Sequence, residues 1–210
     1  MATRLILPGL GGSGEGHWQH WWLGQDPDAH LIEQEDWDRP NLRAWLARAA
    51  ESVLSYPGPL LIGHSLGANL VAHLGAVYPQ LNIRGALLVA PADVETNPKL
   101  REAARGFAPT PRVQLPFPTI VVGSTNDPLM ATQRAMDLAK AWGSRFYHLG
   151  DAGHINVASG FGAWPGGLQL AAQLLSPLRT PRLYPVDAVG GRAGILPPAL
   201  KAKRSTVGTS

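Results

Sequence analysis

Apolar residues along the chain fall into two kinds of segment. Short, nearly uninterrupted runs bounded by glycine or proline alternate with longer stretches in which apolar positions recur every three or four residues. The short runs read as buried strands: Arg4 to Pro8, Pro59 to Gly63, Leu87 to Pro91, Thr119 to Gly123 and Arg145 to Leu149, with His30 to Gln34 as a further strand near the start. The longer stretches read as helices. These are His17 to Leu23, Asn41 to Leu54 with Asn41 as N-cap and Leu42, Trp45, Leu46 and Val53 on one face, Leu66 to Tyr78, Met130 to Trp142, and Trp164 to Leu178. Trp18, Trp21 and Trp22 stand at helical spacing and are read as packing residues. Strands that are continuously apolar, interleaved with helices, indicate a parallel sheet covered on both faces. The class is doubly wound α/β.

With 210 residues the chain holds one well-packed core, and its 45% apolar and 16% charged residues lie in the globular range. Residues 1–178 form the expected domain. Residues 179–210 are rich in Pro, Gly, Arg and Lys without a sustained period and read as a poorly ordered extension. That extension carries six basic residues against the single Asp187, so of the formal charge of +3 it accounts for +5 and the remainder of the chain for −2. A basic groove for nucleic acid on the folded domain is therefore not expected. No apolar stretch reaches the roughly 20 residues of a membrane span. The N-terminus runs into a strand without a signal-peptide layout, which makes a cytoplasmic location the default expectation. The absence of cysteine excludes disulfides, thiolate metal sites and a cysteine nucleophile.

Gly63-His64-Ser65-Leu66-Gly67 has the Gly-x-Ser-x-Gly pattern of a nucleophile elbow, in which glycines let a tight strand-to-helix turn pass close to its neighbours and lift the serine above the sheet. The pattern alone is weak; an apolar strand ending at Ile62 and a helix opening at Leu66 supply its context. A serine nucleophile needs a base later in the chain and an acid between them. His73 lies two turns along the elbow's own helix and His148 inside the last strand, whereas His154 follows that strand at its carboxyl end and is taken as the base. Asp127 follows the strand Thr119 to Gly123 directly and is favoured as the acid over Asp93 and Asp151, while Asp137 faces out of a helix.

An oxyanion needs N–H donors. Leu66, at the helix start, supplies one, and the glycine loop Gly9 to Gly16 supplies the other, with Leu10 favoured and Gly11 next. His17 and His64 are expected to line the substrate pocket, with Phe107 brought over it by a modest lid within Asp93 to Pro118. The spacing Gly9-x-Gly11-x-x-Gly14 also matches a dinucleotide fingerprint, yet that reading leaves Ser65, Asp127 and His154 unexplained. No cofactor is expected, and His17, His20 and His30 lack the carboxylate spacing of a metal site.

At Pro8-Gly9, His17-Trp18, Trp22, Glu35-Asp36-Trp37, Pro40, Gly63 to Gly67, Asn126-Asp127-Pro128 and Gly153-His154-Ile155-Asn156 the chain resembles the small serine hydrolases related to retinoblastoma-binding protein 9, a family that includes the bacterial YdeN-like proteins. The resemblance runs over about residues 4 to 178. It implies a compact three-layer α/β-hydrolase fold with a mostly parallel sheet, at most a minimal cap, and a triad of Ser65, Asp127 and His154. It implies esterase-like or amidase-like action on a small ester or amide. The retinoblastoma-binding motif needs a cysteine, so that partner does not carry over. Two other readings share the fold: a binding or regulatory protein without turnover, and an acyltransferase. The oligomeric state is not readable from the sequence.

Overall fold

The structure, a computed structural model, describes residues 2–175. The extension at 179–210 and the expected end of the last helix at Leu178 lie outside the described residues. In chain order the elements are β1 (Arg4–Leu7), α1 (Trp18–Gln25), β2 (Ala29–Leu31), α2 (Leu42–Leu54), β3 (Leu60–His64), α3 (Leu66–Val77), β4 (Gly85–Val89), α4 (Pro98–Ala103), β5 (Thr119–Gly123), α5 (Thr132–Ala141), β6 (Arg145–His148) and α6 (Pro165–Leu175). The strands form one sheet in the order β2-β1-β3-β4-β5-β6, and every adjacent pair is parallel.

Every residue of β3, β4 and β5 is buried, which is why these strands read as unbroken apolar runs. Their side chains still alternate, but between two cores. Leu5, Leu61, Leu88 and Val121 point to the face covered by α2, α3 and α5, where Trp45, Leu70 and Leu138 meet them. Ile6, Ile62, Leu87 and Val122 point to the face covered by α1 and α6, where Trp18, Trp22 and Leu170 meet them. Of the three Trp residues of α1, Trp18 and Trp22 are fully buried in that second core and Trp21 is partly buried against it.

From β1 the chain passes through α1 to β2 at one side and returns through α2 to β3 at the other. The order reverses there. Residues at the carboxyl ends of β1 and β3 consequently flank an open crevice, the position at which doubly wound sheets bind their ligands. Several element boundaries differ from the sequence expectation by one to three residues, among them those of β2, β4 and α5. β2 stops at Leu31 as an edge strand, with only the Ile32 N–H still bonded to Ile6 O beyond it. α5 begins at Thr132, not Met130, because Leu129 is held in a turn by the Asp127 carboxylate and Met130 is drawn into the core.

Candidate active site

Ser65 stands between β3 and α3 with φ 53° and ψ −121°, a backbone conformation that costs a side-chain-bearing residue of order 1–3 kcal/mol. The surroundings hold it there: its N–H donates to Val89 O at the end of β4, 2.9 Å away. Gly67 is obligatory for the same turn, since a Cβ on it would sit 2.0 Å from Leu7 O. α3 therefore lies against the end of β1, and the strained turn lifts the Ser65 hydroxyl over the crevice.

The hydroxyl meets His154, whose Nε2 is 2.8 Å from Ser65 Oγ. On the other side of the ring, Nδ1 lies 2.9 and 3.0 Å from the two Asp127 carboxylate oxygens. A carboxylate at Nδ1 fixes the proton of the neutral ring there and leaves the Nε2 lone pair for the serine proton. Both side chains are almost wholly shielded, 5% and 2% exposed, so this pair is only weakly screened by solvent. The loops bearing them are tied together. Asn126 Oδ1 accepts from Gly153 N–H at 2.6 Å and from the Ser124 hydroxyl at 2.9 Å, and the His154 N–H donates to Ser159 Oγ at 3.0 Å.

Two ring N–H groups grip the histidine loop from beneath. His64 Nε2 donates to His154 O at 3.0 Å, and Trp18 Nε1 donates to Ile155 O at 2.9 Å. Burial, aided by the charges of His154 and His17, pushes the His64 ring well below its ordinary pKa despite the hydrogen bond to His154 O. His17 is pushed down to about 4, first by burial and then by His154. Three imidazoles thus stand in a row, with centroids 4.8 Å apart for His17 and His64 and 5.1 Å for His64 and His154. Among the described residues, His154 is the one of the three with a carboxylate partner.

The glycine loop passes directly against the turn: a Cβ on Gly9 would meet Ser65 Cβ at 2.8 Å and Leu66 N at 3.1 Å. Gly11 donates its N–H to Trp37 O, which removes it from the candidates for an oxyanion donor. The Leu10 N–H has no partner among the described residues. Leu66 opens α3, so its N–H lacks a carbonyl one turn back within the helix. Gln19 holds this loop in a way that the hydrophobic pattern did not reveal. Its amide Nε2 donates to Leu7 O, at the carboxyl end of β1, and to Ile62 O within β3, while Oε1 accepts from the Ser13 hydroxyl.

Leu10, His17, His64, Ser65 and His154 all line a cavity of about 400 Å³, whereas Phe107 does not. Phe107 is fully buried in the core that holds Trp45 and Leu70, edge-on to Trp45 and His73, with its carbonyl bonded to His73 Nε2. The expectation of a phenylalanine lid is corrected on that ground. The segment folds inward because Asn69 clasps both the N–H and the carbonyl of Ala92 and also reaches the Thr110 hydroxyl. Leu100 of α4 and Leu129 reach the cavity instead. Asp93, the alternative acid, is engaged by Arg134, whose Nε is 2.7 Å from its carboxylate, and by the Thr96 hydroxyl. No group of three or more potential ligands for a metal occurs among the described residues.

The serine hydrolase family profile matches residues 4–173. The chain belongs to that family. This serine hydrolase is 35% identical to a YdeN-like hydrolase from Pectobacterium atrosepticum over 84% of its own length and 94% of that chain, with a TM-score of 0.73. The ydeN gene product of Bacillus subtilis shares the fold at 19% identity, with 84% and 100% of the two chains covered and a TM-score of 0.69. Est1E of Butyrivibrio proteoclasticus, solved with ferulic acid, shares it at 10% identity, with 83% and 90% covered and a TM-score of 0.58. No curated protein matches the chain. Among the described residues, no helix of the serine hydrolase is long and apolar enough to cross a membrane.

Proposed function

We propose that this serine hydrolase cleaves a small ester or amide through an acyl-enzyme on Ser65. The observation that carries the reading is the unbroken line from Ser65 Oγ through His154 to Asp127, on a serine whose backbone is strained. In the first half-reaction His154 Nε2 takes the hydroxyl proton as Ser65 Oγ bonds to the acyl carbon. The carbonyl electron pair moves onto oxygen, where the Leu10 and Leu66 N–H groups receive it. The bond to the leaving group then breaks, and the leaving group departs with the proton from His154. Water completes the cycle: its proton goes to His154, its oxygen to the acyl carbon, and Ser65 recovers its proton as the acid is released. Asp127 keeps the imidazole in one tautomer and stabilises its charged form.

A fluorophosphonate probe followed by peptide mass spectrometry tests this assignment. Label on Ser65, lost in Ser65→Ala and slowed at least a hundredfold in His154→Ala, is the expected result. Label on any other residue, or an unchanged rate in His154→Ala, overturns it.

A further inference from the structure

His17 caps the N-terminus of α1 in an unusual manner, with its ring Nδ1 accepting the Gln19 N–H at 3.1 Å. A nitrogen that accepts carries no hydrogen, so the proton of the neutral ring is on Nε2. Burial keeps the ring neutral at ordinary pH, and a protonated His154 next to it works in the same direction. Nε2–H is therefore a fixed donor on the edge of the ring turned away from the helix. The residue is 95% buried, and Nε2 has no hydrogen-bond partner among the described residues. Buried donors are nearly always paired, and an orphan in the wall of a reaction cavity calls for an acceptor.

The surroundings of the two halves of the cleft decide which part of a substrate brings that acceptor. A second cavity, of about 740 Å³, adjoins the first and shares His154, Leu129, Asn156 and Ala158 with it. Ser65, Leu10 and His17 line only the smaller cavity, whereas Asn97, Asn126 and Asp151 line only the larger. An acyl group bonded to Ser65 with its oxygen at Leu10 belongs in the smaller cavity. A leaving group that must collect a proton from His154 extends into the larger.

We propose that His17 Nε2–H reads an oxygen on the acyl chain, so that the preferred acyl group is short and carries an ether, hydroxyl or oxo oxygen near the scissile carbonyl. This inference rests on the acyl-enzyme reading above. It adds a specificity-determining residue to it and names a substrate class. A site built around a donor rejects an analogue that lacks the acceptor, because the donor is then left unpaired.

The test uses two isosteric esters, p-nitrophenyl methoxyacetate and p-nitrophenyl butyrate, which differ by one oxygen in place of one CH2. The wild-type enzyme is expected to prefer the methoxyacetate in kcat/KM by roughly tenfold or more beyond the ratio of their alkaline hydrolysis rates. His17→Asn keeps a side-chain acceptor for the helix cap, and its amide N–H, on a shorter side chain, falls short of the place that Nε2 holds; His17→Phe keeps an aromatic ring and loses both nitrogens. In each variant the excess preference is expected to vanish while Ser65 still takes the fluorophosphonate label. A wild-type ratio within twofold of the alkaline ratio overturns the inference even if neither variant folds. So does an equal loss on both esters in the variants, which marks His17 as structural. Turnover of neither ester together with absent Ser65 labelling sinks the acyl-enzyme reading itself, whereas labelling and turnover without the preference sink only this one.

Discussion

Gly9 offers a direct probe of how closely the glycine loop and the elbow must fit. Its backbone is not in the left-handed region, so alanine is tolerated conformationally, but the added Cβ would sit 2.8 Å from Ser65 Cβ and 3.1 Å from both His64 O and Leu66 N. Carbon atoms that far inside contact distance separate by several tenths of an ångström to about 1 Å. Ser65 has no freedom to yield, since its N–H is bonded to Val89 O and its hydroxyl to His154. The loop moves instead, and the Leu10 N–H moves with it. A misplacement of that size in a catalytic group costs about a hundredfold, and the loss of an oxyanion donor about a hundred- to thousandfold in kcat. Gly9→Ala is therefore expected to lower kcat on p-nitrophenyl acetate by about two orders of magnitude with little change in KM. Gly14→Ala, whose Cβ would meet nothing within 4 Å, serves as the matched control and is expected to retain full activity. Wild-type kcat in a folded Gly9→Ala enzyme would refute the proposed place of Leu10 in the chemistry.

Three further outcomes follow from the same structure. Asp127→Asn preserves the shape of the site but loses the carboxylate at His154 Nδ1, and kcat is expected to fall about 10⁴-fold, as measured on any ester the enzyme turns over. Phe107→Ala empties a fully buried site and is expected to cost about 3–5 kcal/mol, a fall of about 10 °C in Tm, with KM unchanged; a raised KM at unchanged Tm would restore the lid. The pKa of His17 lies at about 4 in the folded chain against 6.5 for a free ring. Between those values the unfolded chain holds the extra proton, so stability is full above pH 6.5 and declines as pH falls towards 4. Urea titrations at pH 8 and pH 4 are expected to show a loss about 3 kcal/mol larger in the wild type than in His17→Asn; equal losses would refute the depressed value.

The fold was legible because its signals are local. Five-residue strands buried on both faces read as apolar runs, and the elbow glycines are demanded by contacts within a few residues and by one neighbouring strand. The loops that bring Asp127 and His154 to Ser65 were readable by address, since each follows a strand at its carboxyl end. What escaped the sequence depends on contacts between distant positions. Phe107 was placed over the pocket because an aromatic residue in a strand-to-strand excursion is ambiguous until the path of the chain is known. The clasp of Asn69 on Ala92 and Thr110 sets that path, and no period encodes it. Gln19 escaped for a similar reason: a polar residue in a short helix gives no sign that its amide will bridge β1 and β3. Leu10 and Gly11 were not separable until the bond from Gly11 to Trp37 was visible.

The grip of Trp18 on the carbonyl of Ile155 joins residues 137 apart, and that of His64 on His154 joins residues 90 apart. The proposed base is thus seated by the first helix, although it enters the chain more than a hundred residues later. A nascent or partly unfolded chain that has made the elbow still lacks the means to activate it. On the proposed mechanism, hydrolysis therefore requires both the first helix and the loop after β6, and a fragment that lacks either is expected to carry an inert serine.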